Sequence, residues 1–255
     1  LWHRKEVGEG EYGRGFGAYG FTSYKKDENG RIHVFFMAKD TFCHFDALTG
    51  EFIKPPLVLK DLTEKVLKEK GIFNVDDQNL ATHTDPFSAY GSITIADINN
   101  DGKDELLFFG CFNALGALDM DHNVIWWHNT PLSDLCMRYP GLCDIDNDGF
   151  MEIGVGHMNG DFICYSAATG EEKWRYKLNS IASDIACCDI DGDGCMEFVF
   201  GTSDGRLIAM GDKGKIKFEM KFDTSVGSPV ISDINGDGKA EILVVTGDAY
   251  INWIK

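Results

Sequence analysis

The chain has 255 residues, of which 44% are hydrophobic and 25% are charged, and its formal net charge is −17. A chain of this length can bury the core of a complete domain. The acidic balance argues against nucleic acids and anionic membrane surfaces as partners. No apolar run is long enough to span a bilayer. Composition therefore indicates a globular domain with partners of another kind.

The first part of the chain contains two strand-like regions. Residues 1–7, Leu-Trp-His-Arg-Lys-Glu-Val, match the pattern Lys-Trp-Arg-Tyr-Lys of residues 173–177 and predict a single β-strand. Residues 24–53 predict four short strands, and the run Lys-Lys-Asp-Glu-Asn-Gly at residues 25–30 lies between the first two. The regular structure predicted for this first part of the chain is therefore β-strand.

Residues 55–87 interrupt the strand pattern and predict an insertion that contains a short helix. Asp61 can cap this helix, Glu64 completes a capping box, and an apolar stripe follows as far as Gly71. Insertions in repeat proteins lie on one face and often shape a binding site.

Four copies of one acidic motif, D-I-[DN]-x-D-G-x-x-E, follow the insertion. They start at Asp97, Asp144, Asp189 and Asp233, at intervals of 47, 45 and 44 residues. Each copy lies between two strand-like runs, and two further strands complete each of the first three repeats. A period of this size with four short strands is typical of a β-propeller. The predicted fold class is therefore all-β, a β-propeller of four-stranded blades with one short helical insertion.

The repeats predict five blades in a single domain over residues 1–255. The last repeat, residues 228–255, ends after its third strand. We expect residues 1–7 to supply the missing fourth strand, which removes two free sheet edges. A longer array, of which this chain is a part, is the alternative.

The acidic motif has the ligands that a calcium ion requires. Oxygen side chains occupy positions 1, 3 and 5, a Glu occupies position 9, and the Gly at position 6 permits a sharp turn. The motif differs from an EF-hand, in which the Glu occupies position 12 and helices flank the loop. An acidic turn without metal is the alternative for one copy. Four copies in register favour a structural metal.

The motif resembles the FG-GAP/VCBS repeats of calcium-binding β-propellers of the integrin-α type, which some polysaccharide lyases share. The resemblance implies about four structural Ca²⁺ ions, bound by side chains at positions 1, 3, 5 and 9 and by the carbonyl of position 7. The implied ligand residues are Asp97, Asn99, Asp101, Lys103 and Glu105; Asp144, Asp146, Asp148, Phe150 and Glu152; Asp189, Asp191, Asp193, Cys195 and Glu197; and Asp233, Asn235, Asp237, Lys239 and Glu241.

Two further expectations follow from the calcium interpretation. The run at residues 25–30 has lysines where the other repeats have carboxylates, so we expect no metal in the first blade. Calcium loops of moderate affinity suit a secreted, periplasmic or cell-surface protein.

The turns between second and third strands should lie at the end of each sheet opposite the acidic loops. Residues predicted to converge on this opposite face are Arg138, Tyr139, His157, Asn113, Lys39, Asp40, Ser203, Asp204 and Asp248, together with His83 and Asp85 of the insertion. A polar funnel with aromatic edges is the usual location of a ligand site. We expect this face to bind a glycan or polysaccharide, or an extracellular protein.

The alternative function is enzymatic: a polysaccharide lyase that acts by β-elimination on a uronate-containing substrate, similar to rhamnogalacturonan or ulvan lyases. This reaction needs a base, a group that neutralises the carboxylate, and an acid. His157 or His83 could act as the base. Arg138 or Asn113 could neutralise the carboxylate, and Tyr139 could be the acid. The same residues could instead be a packed connection and a turn, so the sequence leaves catalysis open.

Aromatic residues and cysteines also leave alternatives open. Trp126, Trp127 and Trp174 could stack on sugars, but aromatic side chains at a recurring fourth-strand position more often pack between blades. Residues 168–174 resemble one stretch of quinoprotein-type propeller repeats, which we interpret as shared blade geometry. Eight cysteines are too few for a disulfide scaffold. Cys136 and Cys143 could form one disulfide.

Overall fold

The structure is a computed structural model that describes residues 22–38, 41–58, 92–109, 114–129 and 139–254. Regular structure in these ranges consists of β-strands and one 3-10 turn, Asp212–Gly214. The predicted strand 1–7 and the predicted helix of the insertion lie outside the described residues. Within the described part of the chain, the all-β prediction is confirmed.

The described strands form five antiparallel sheets, and within each sheet the strands lie side by side in chain order. The first sheet contains β1 Thr22–Lys26, β2 Ile32–Ala38, β3 Thr41–Asp46 and β4 Phe52–Val58, and the second contains β5 Ser92–Ala96, β6 Glu105–Phe109, β7 Ala114–Asp119 and β8 Val124–Asn129. The third contains β9 Gly141–Cys143, β10 Glu152–Gly156, β11 Asp161–Ser166 and β12 Glu172–Lys177. The fourth contains β13 Ala186–Cys188, β14 Glu197–Gly201, β15 Arg206–Met210 and β16 Ile216–Lys221, and the fifth contains β17 Val230–Ser232, β18 Glu241–Val245 and β19 Ile251–Ile254.

These sheets correspond closely to the predicted blades, with one corrected boundary. Strand β4 continues to Val58 and includes Pro55 and Pro56, so the start of the predicted insertion 55–87 is wrong by four residues. The fifth sheet has three strands within the described residues, as the sequence predicted. Its last strand exposes Ile251 and Trp253. Completion of this sheet by residues 1–7 stays a prediction.

Contacts divide the chain into two compact units, residues 1–96 with 104–127 and residues 97–103 with 128–255. In the first unit, apolar residues of the first and second sheets share one core: Phe35, Phe42, Ile93, Leu106, Phe108, Leu118 and Trp127. In the second unit, Phe162 and Cys164 of β11 pack with Phe198 and Phe200 of β14. A separate cluster there joins the fourth sheet to the fifth through Val199 and Val244. The single domain over residues 1–255 stays a prediction.

The same turn connects the third and fourth strands of the first and third sheets. In the turn after β3, the amide of Gly50 donates to the carbonyl of Asp46 over 2.8 Å, and in the turn after β11 the amide of Gly170 donates to the carbonyl of Ser166 over the same distance. Both glycines have positive φ, 69° and 74°, a region that glycine adopts without steric penalty. The sequence match between residues 47–50 and 167–170 therefore reflects one turn used twice.

The described cysteines form no disulfide with one another. Cys143 is a buried free thiol in β9, and Cys43, Cys164, Cys187 and Cys188 are also free within the described residues. The possible disulfide partner of Cys143, Cys136, lies outside the described residues. Burial raises the pKa of Cys164, because the thiolate form would lose its hydration.

Close packing between the fourth and fifth sheets depends on a glycine. A Cβ atom at Gly201 would lie 2.4 Å from the carbonyl oxygens of both Val226 and Gly227. We predict that Gly201→Ala lowers the free energy of unfolding by about 2 kcal/mol or more, because rigid backbone atoms must move. Urea denaturation measures this change. The control is Gly211→Ala, where φ is −91° and the nearest atom is the flexible Lys217 chain at 3.4 Å; equal losses in the two variants would contradict the packing account.

A buried histidine makes the first unit sensitive to acid. His44 is 3% exposed and stacks on Phe35, with ring centroids 4.3 Å apart. Its Nε2 atom lies 2.8 Å from Nδ1 of His33. Burial, and then the nearby His33, His122 and Lys54, lower the pKa of His44 to about 4. The neutral ring is therefore the form that the folded protein prefers.

This pKa predicts the direction of the pH dependence. The unfolded state binds a proton to His44 below about pH 6.5, whereas the folded state does so only near pH 4. Stability should therefore fall as the pH drops through this window, by about 2 kcal/mol at pH 5. Denaturation at pH 7.5 and pH 5 should show a smaller loss for His44→Gln than for the wild type. His128→Gln, at a half-buried histidine, should keep the wild-type loss; an undiminished loss in His44→Gln would refute the assignment.

Candidate metal-binding loops and the opposite face

The acidic loops lie where the sequence predicted, each between the first and second strands of a sheet. They connect β5 to β6, β9 to β10, β13 to β14 and β17 to β18. The Glu at position 9 is in every case the first residue of the second strand. The loop therefore ends at the point where strand pairing resumes.

The aspartate at position 1 organises the backbone of each loop. In the third loop, Oδ1 of Asp189 accepts a hydrogen bond from the amide of Gly192 over 2.7 Å, and Oδ2 accepts one from Gly194 over 2.9 Å. The bond from position 6 to position 1 is also present in the other loops, from Gly102 to Asp97, Gly149 to Asp144 and Gly238 to Asp233. The four position-6 glycines have φ between 83° and 90°. A side chain at this position would be strained, which explains the glycine in the motif.

The aspartate at position 5 fixes the next part of the loop. Its Oδ1 atom accepts a hydrogen bond from the amide of position 7 in all four loops, over 2.8 to 2.9 Å. The position-7 residues are Lys103, Phe150, Cys195 and Lys239. Their side chains differ, so the shared contact of this position is made by its backbone amide; the carbonyl ligand that the resemblance implies stays a prediction.

The glutamate at position 9 is buried in each loop. In three of them its Oε2 atom accepts a hydrogen bond from the amide of position 2, which is Ile145, Ile190 or Ile234. Burial raises the pKa of Glu152 and of Glu197 above the ordinary value, because a desolvated carboxylate is costly. Burial therefore works against the charged form of these two side chains.

Two loops bring their carboxylates close enough to hold a metal ion. One ligand oxygen from each of Asp144, Asp146 and Glu152 lies within 4.8 Å of the others, and the same is true of Asp189, Asp191 and Glu197. Glu197 is 0% exposed, and its Oε1 atom has no hydrogen-bond partner among the described residues. An orphaned oxygen of this kind beside two aspartates fits a cation.

Two lysines that the sequence prediction did not include contact these same clusters. Nζ of Lys173 in β12 lies 2.7 Å from Oδ2 of Asp146 and 2.8 Å from Oε1 of Glu152. Nζ of Lys217 in β16 lies 2.9 Å from Oδ2 of Asp191. Although burial opposes it, pairing with Asp146 and Glu152 raises the pKa of Lys173. A signal was present in the sequence, since both lysines are the second residue of a fourth strand.

The turn of the first sheet is organised without the acidic motif. Oδ1 of Asp27 accepts hydrogen bonds from the amides of Asn29 and Arg31 over 2.9 and 2.8 Å. Lys25 forms an ion pair with Asp104. These contacts satisfy the turn with protein groups, and the absence of metal from this blade stays a prediction.

The opposite face of the third and fourth sheets contains a cleft of about 410 Å³. It lies at the turns that follow β10 and β14, at the far end of these strands from the acidic loops. The lining residues are Met158, Asn159, Gly160, Asn179, Ser180, Ile181, Ser203 and Asp204. Ser203 and Asp204 were predicted for this face; the segment 179–181 was missed, because the connection between β12 and β13 has no motif.

Hydrogen bonds hold the polar side of this cleft in place. The hydroxyls of Ser180 and Ser203 lie 3.0 Å apart, and Ser180 Oγ accepts from the amide of Asp204 over 3.1 Å. Arg206 donates to Asp204 and to the carbonyl of Leu178. The cleft therefore presents hydroxyl and carboxylate groups on a rigid frame.

Two of the five predicted catalytic residues, His157 and Tyr139, are among the described residues. His157 is buried at the end of β10, with Nε2 3.4 Å from the hydroxyl of Tyr165. Tyr139 is partly buried, and burial, with a contribution from Asp184, raises its pKa. Arg138, His83 and Asn113 lie outside the described residues, as do Lys39, Asp40 and Asp85. The lyase arrangement therefore stays a prediction, and the described residues offer no observation that favours it.

The predicted sugar-stacking residues are used for packing. Trp126 and Trp127 are buried. Trp174 stacks on Phe162, with ring centroids 5.9 Å apart, and lies 6.5 Å from Phe198 of the next sheet. The alternative interpretation, aromatic packing between sheets, is the one that the structure shows.

Comparison with known proteins defines the fold but no family. No protein-family model and no curated protein matches the sequence. A chain of the crystal structure of BBS1N in complex with ARL6DN matches with a TM-score of 0.60 at 10% identity, over 91% of this chain and 63% of that one. Sqt1 of Saccharomyces cerevisiae matches with a TM-score of 0.58 at 9% identity, over 93% and 58%. The PilY1 C-terminal domain of Pseudomonas aeruginosa matches with a TM-score of 0.56 at 15% identity, over 85% and 52%.

These similarities confirm the fold class. The chain is an all-β protein with four-stranded antiparallel sheets and the fold of a β-propeller. It spans between about half and two thirds of the length of the structures that it matches. Among the described residues, none belongs to a helix with the length and apolarity of a membrane span.

Proposed function

We propose that this chain is a propeller of the FG-GAP/VCBS type whose acidic loops bind structural Ca²⁺ and whose opposite face recognises an extracellular ligand. The observation that carries the metal proposal is the Oε1 atom of Glu197, which is fully buried beside Asp189 and Asp191 without a hydrogen bond from a described residue. The ammonium of Lys217 lies 3.9 Å away, beyond hydrogen-bond distance, and leaving a buried oxygen without a close polar partner is costly. A bound cation would supply that partner.

The donor atoms favour calcium over other metals. The side chains at positions 1, 3, 5 and 9 offer only oxygen ligands, which suit hard cations such as Ca²⁺ and Mg²⁺. Loops in which backbone turns and several carboxylates surround the ion suit the larger coordination number of Ca²⁺. The loops at residues 97–105 and 233–241 share the backbone frame of the other two, so we extend the proposal to all four.

We place the proposed ligand site in the cleft on the opposite face. Asn179, Ser180 and Asp204 offer amide, hydroxyl and carboxylate groups, and exposed Met158 and Ile181 add apolar surface. This mixture suits a sugar, whose hydroxyls need polar partners and whose ring faces need apolar ones. A glycan is therefore our first candidate, bound by a secreted, periplasmic or cell-surface protein.

A protein is the second candidate partner. One of the similar structures is a complex of BBS1N with ARL6DN, so a protein of this fold class can bind another protein. The same face of the present chain could present loops to such a partner.

Calcium should stabilise the fold in the manner of a tightly bound ligand. With dissociation constants near 10 µM, 1 mM Ca²⁺ adds about 3 kcal/mol per site, so each occupied site should raise the melting temperature by about 6 to 12 °C over that in chelator. Glu197→Gln should reduce this rise, because a neutral amide is a weaker calcium ligand. Glu219→Gln, at an exposed glutamate of β16, is the matched control. An identical melting temperature in calcium and chelator would refute the metal proposal.

Ligand binding should depend on the cleft. A glycan array and a panel of extracellular proteins would provide ligands, and Ser203→Trp should weaken binding of the ligands found by about ten-fold or more, because the indole fills the cleft. Thr169→Trp, in the exposed turn before β12, should bind normally. Equal binding by the two variants would place the ligand elsewhere. Release of unsaturated products from a uronate polysaccharide, seen by ultraviolet absorbance, would instead show a lyase.

A further inference from the structure

The charges of the four loops follow a pattern that the calcium motif does not require. Position 3 is an aspartate in two loops, Asp146 and Asp191, and an asparagine in the other two, Asn99 and Asn235. Counting positions 1, 3, 5 and 9, the loops at residues 144–152 and 189–197 have four carboxylates each, and the loops at residues 97–105 and 233–241 have three. The additional negative charge raises the repulsion within a loop that already concentrates carboxylates.

Each four-carboxylate loop receives one ammonium group from the fourth strand of its own sheet. Lys217 Nζ lies 2.9 Å from Asp191 Oδ2, 2.5 Å from Asp193 Oδ2 and 3.9 Å from Glu197 Oε1. These partners are the residues at positions 3, 5 and 9. The ammonium therefore lies among the oxygen atoms that the proposed metal site uses.

The first four-carboxylate loop repeats this arrangement. Lys173 Nζ lies 2.7 Å from Asp146 Oδ2, 2.8 Å from Glu152 Oε1 and 3.6 Å from Asp148 Oδ2. The contacts again involve positions 3, 5 and 9. Two separate sheets thus place a lysine from the same strand position against the same three loop positions.

Among the described residues, no lysine from a fourth strand contacts the three-carboxylate loops. The equivalent residue of β8 is Ile125, which is exposed, and the sheet of the last loop has three strands within the described residues. In that last loop, Nδ2 of Asn235 donates to Oε1 of Glu241. In the last loop, the neutral side chain at position 3 therefore contacts the buried glutamate. In the loop at residues 144–152, Lys173 makes the equivalent contact.

We propose that Lys173 and Lys217 set the metal affinity of their loops by balancing the additional aspartate at position 3. Four carboxylates and one ammonium give a net charge of −3, the same as three carboxylates alone. Counted over positions 1, 3, 5 and 9 together with the two lysines, all four loops then present the same net charge to a divalent cation. This inference rests on the proposed function, because it concerns the affinity of the same loops for Ca²⁺.

The test is calcium titration of the intact chain by nuclear magnetic resonance. The amides of Gly102, Gly149, Gly194 and Gly238 occupy position 6 and report the four loops separately. Lys217→Met should tighten binding at Gly194 by about ten-fold or more, since a positive charge next to a divalent ion is removed. It should leave Gly102 and Gly238 unchanged. Asp191→Asn should weaken binding at Gly194 by a similar factor.

The double variant Asp191→Asn with Lys217→Met completes the cycle. It converts the loop to the three-carboxylate class, so its affinity at Gly194 should return close to that of the wild type. This variant also carries the test if Lys217→Met alone fails to fold without metal. Lys221→Met, at an exposed lysine of the same strand, is the control for loss of a charge.

The outcomes separate this proposal from the one on which it rests. One outcome would overturn only the role of the lysines. In that outcome, calcium changes the chemical shifts of all four glycine amides, but Lys217→Met leaves the affinity at Gly194 unchanged. The absence of calcium shifts at every glycine of the wild type would overturn the metal proposal and this one together. A double variant that binds as tightly as Lys217→Met would show that the aspartate and the lysine are not matched.

Discussion

The structure depends on how a buried carboxylate is kept charged at the start of a β-strand. Each acidic loop ends in a glutamate that is buried and that begins the second strand of its sheet. Removing a carboxylate from water costs several kcal/mol unless donors or cations replace the water. The loop supplies backbone amides, two sheets supply a lysine, and the proposed metal supplies the rest. The charge balance of the loop and the pairing of the strand that follows it therefore depend on the same glutamate.

This coupling explains why the loops and the packing repeat together. The aspartate at position 1 holds the glycine turn, and the glutamate at position 9 connects that turn to the strand. The strand that begins with Glu197 then places Phe198 and Phe200 in one core with Phe162 of β11 in the neighbouring sheet. Close approach at Gly201 brings the next sheet against this pair. The cleft lies at the opposite ends of the same strands.

Much of this architecture could be predicted because its causes are local. The position-6 glycines need positive φ, and the aspartates bond to amides within five residues, so spacing alone identified the loops and their place between strands. The cleft was only partly predicted, because Ser180 and Ile181 belong to a connection without a motif. Lys173 and Lys217 were missed because their partners are 20 or more residues away and become neighbours only when the fourth strand pairs. The buried position of His157 likewise depends on packing against Tyr165.

The central claim is that cations balance the carboxylates of the acidic loops, and counting bound ions tests it most directly. Native mass spectrometry of the chain, prepared once with calcium and once after treatment with chelator, measures that number. The account predicts a mass difference equal to four Ca²⁺ ions per chain, with fewer ions when Glu197 is changed to Gln. Identical masses in the two preparations would contradict it.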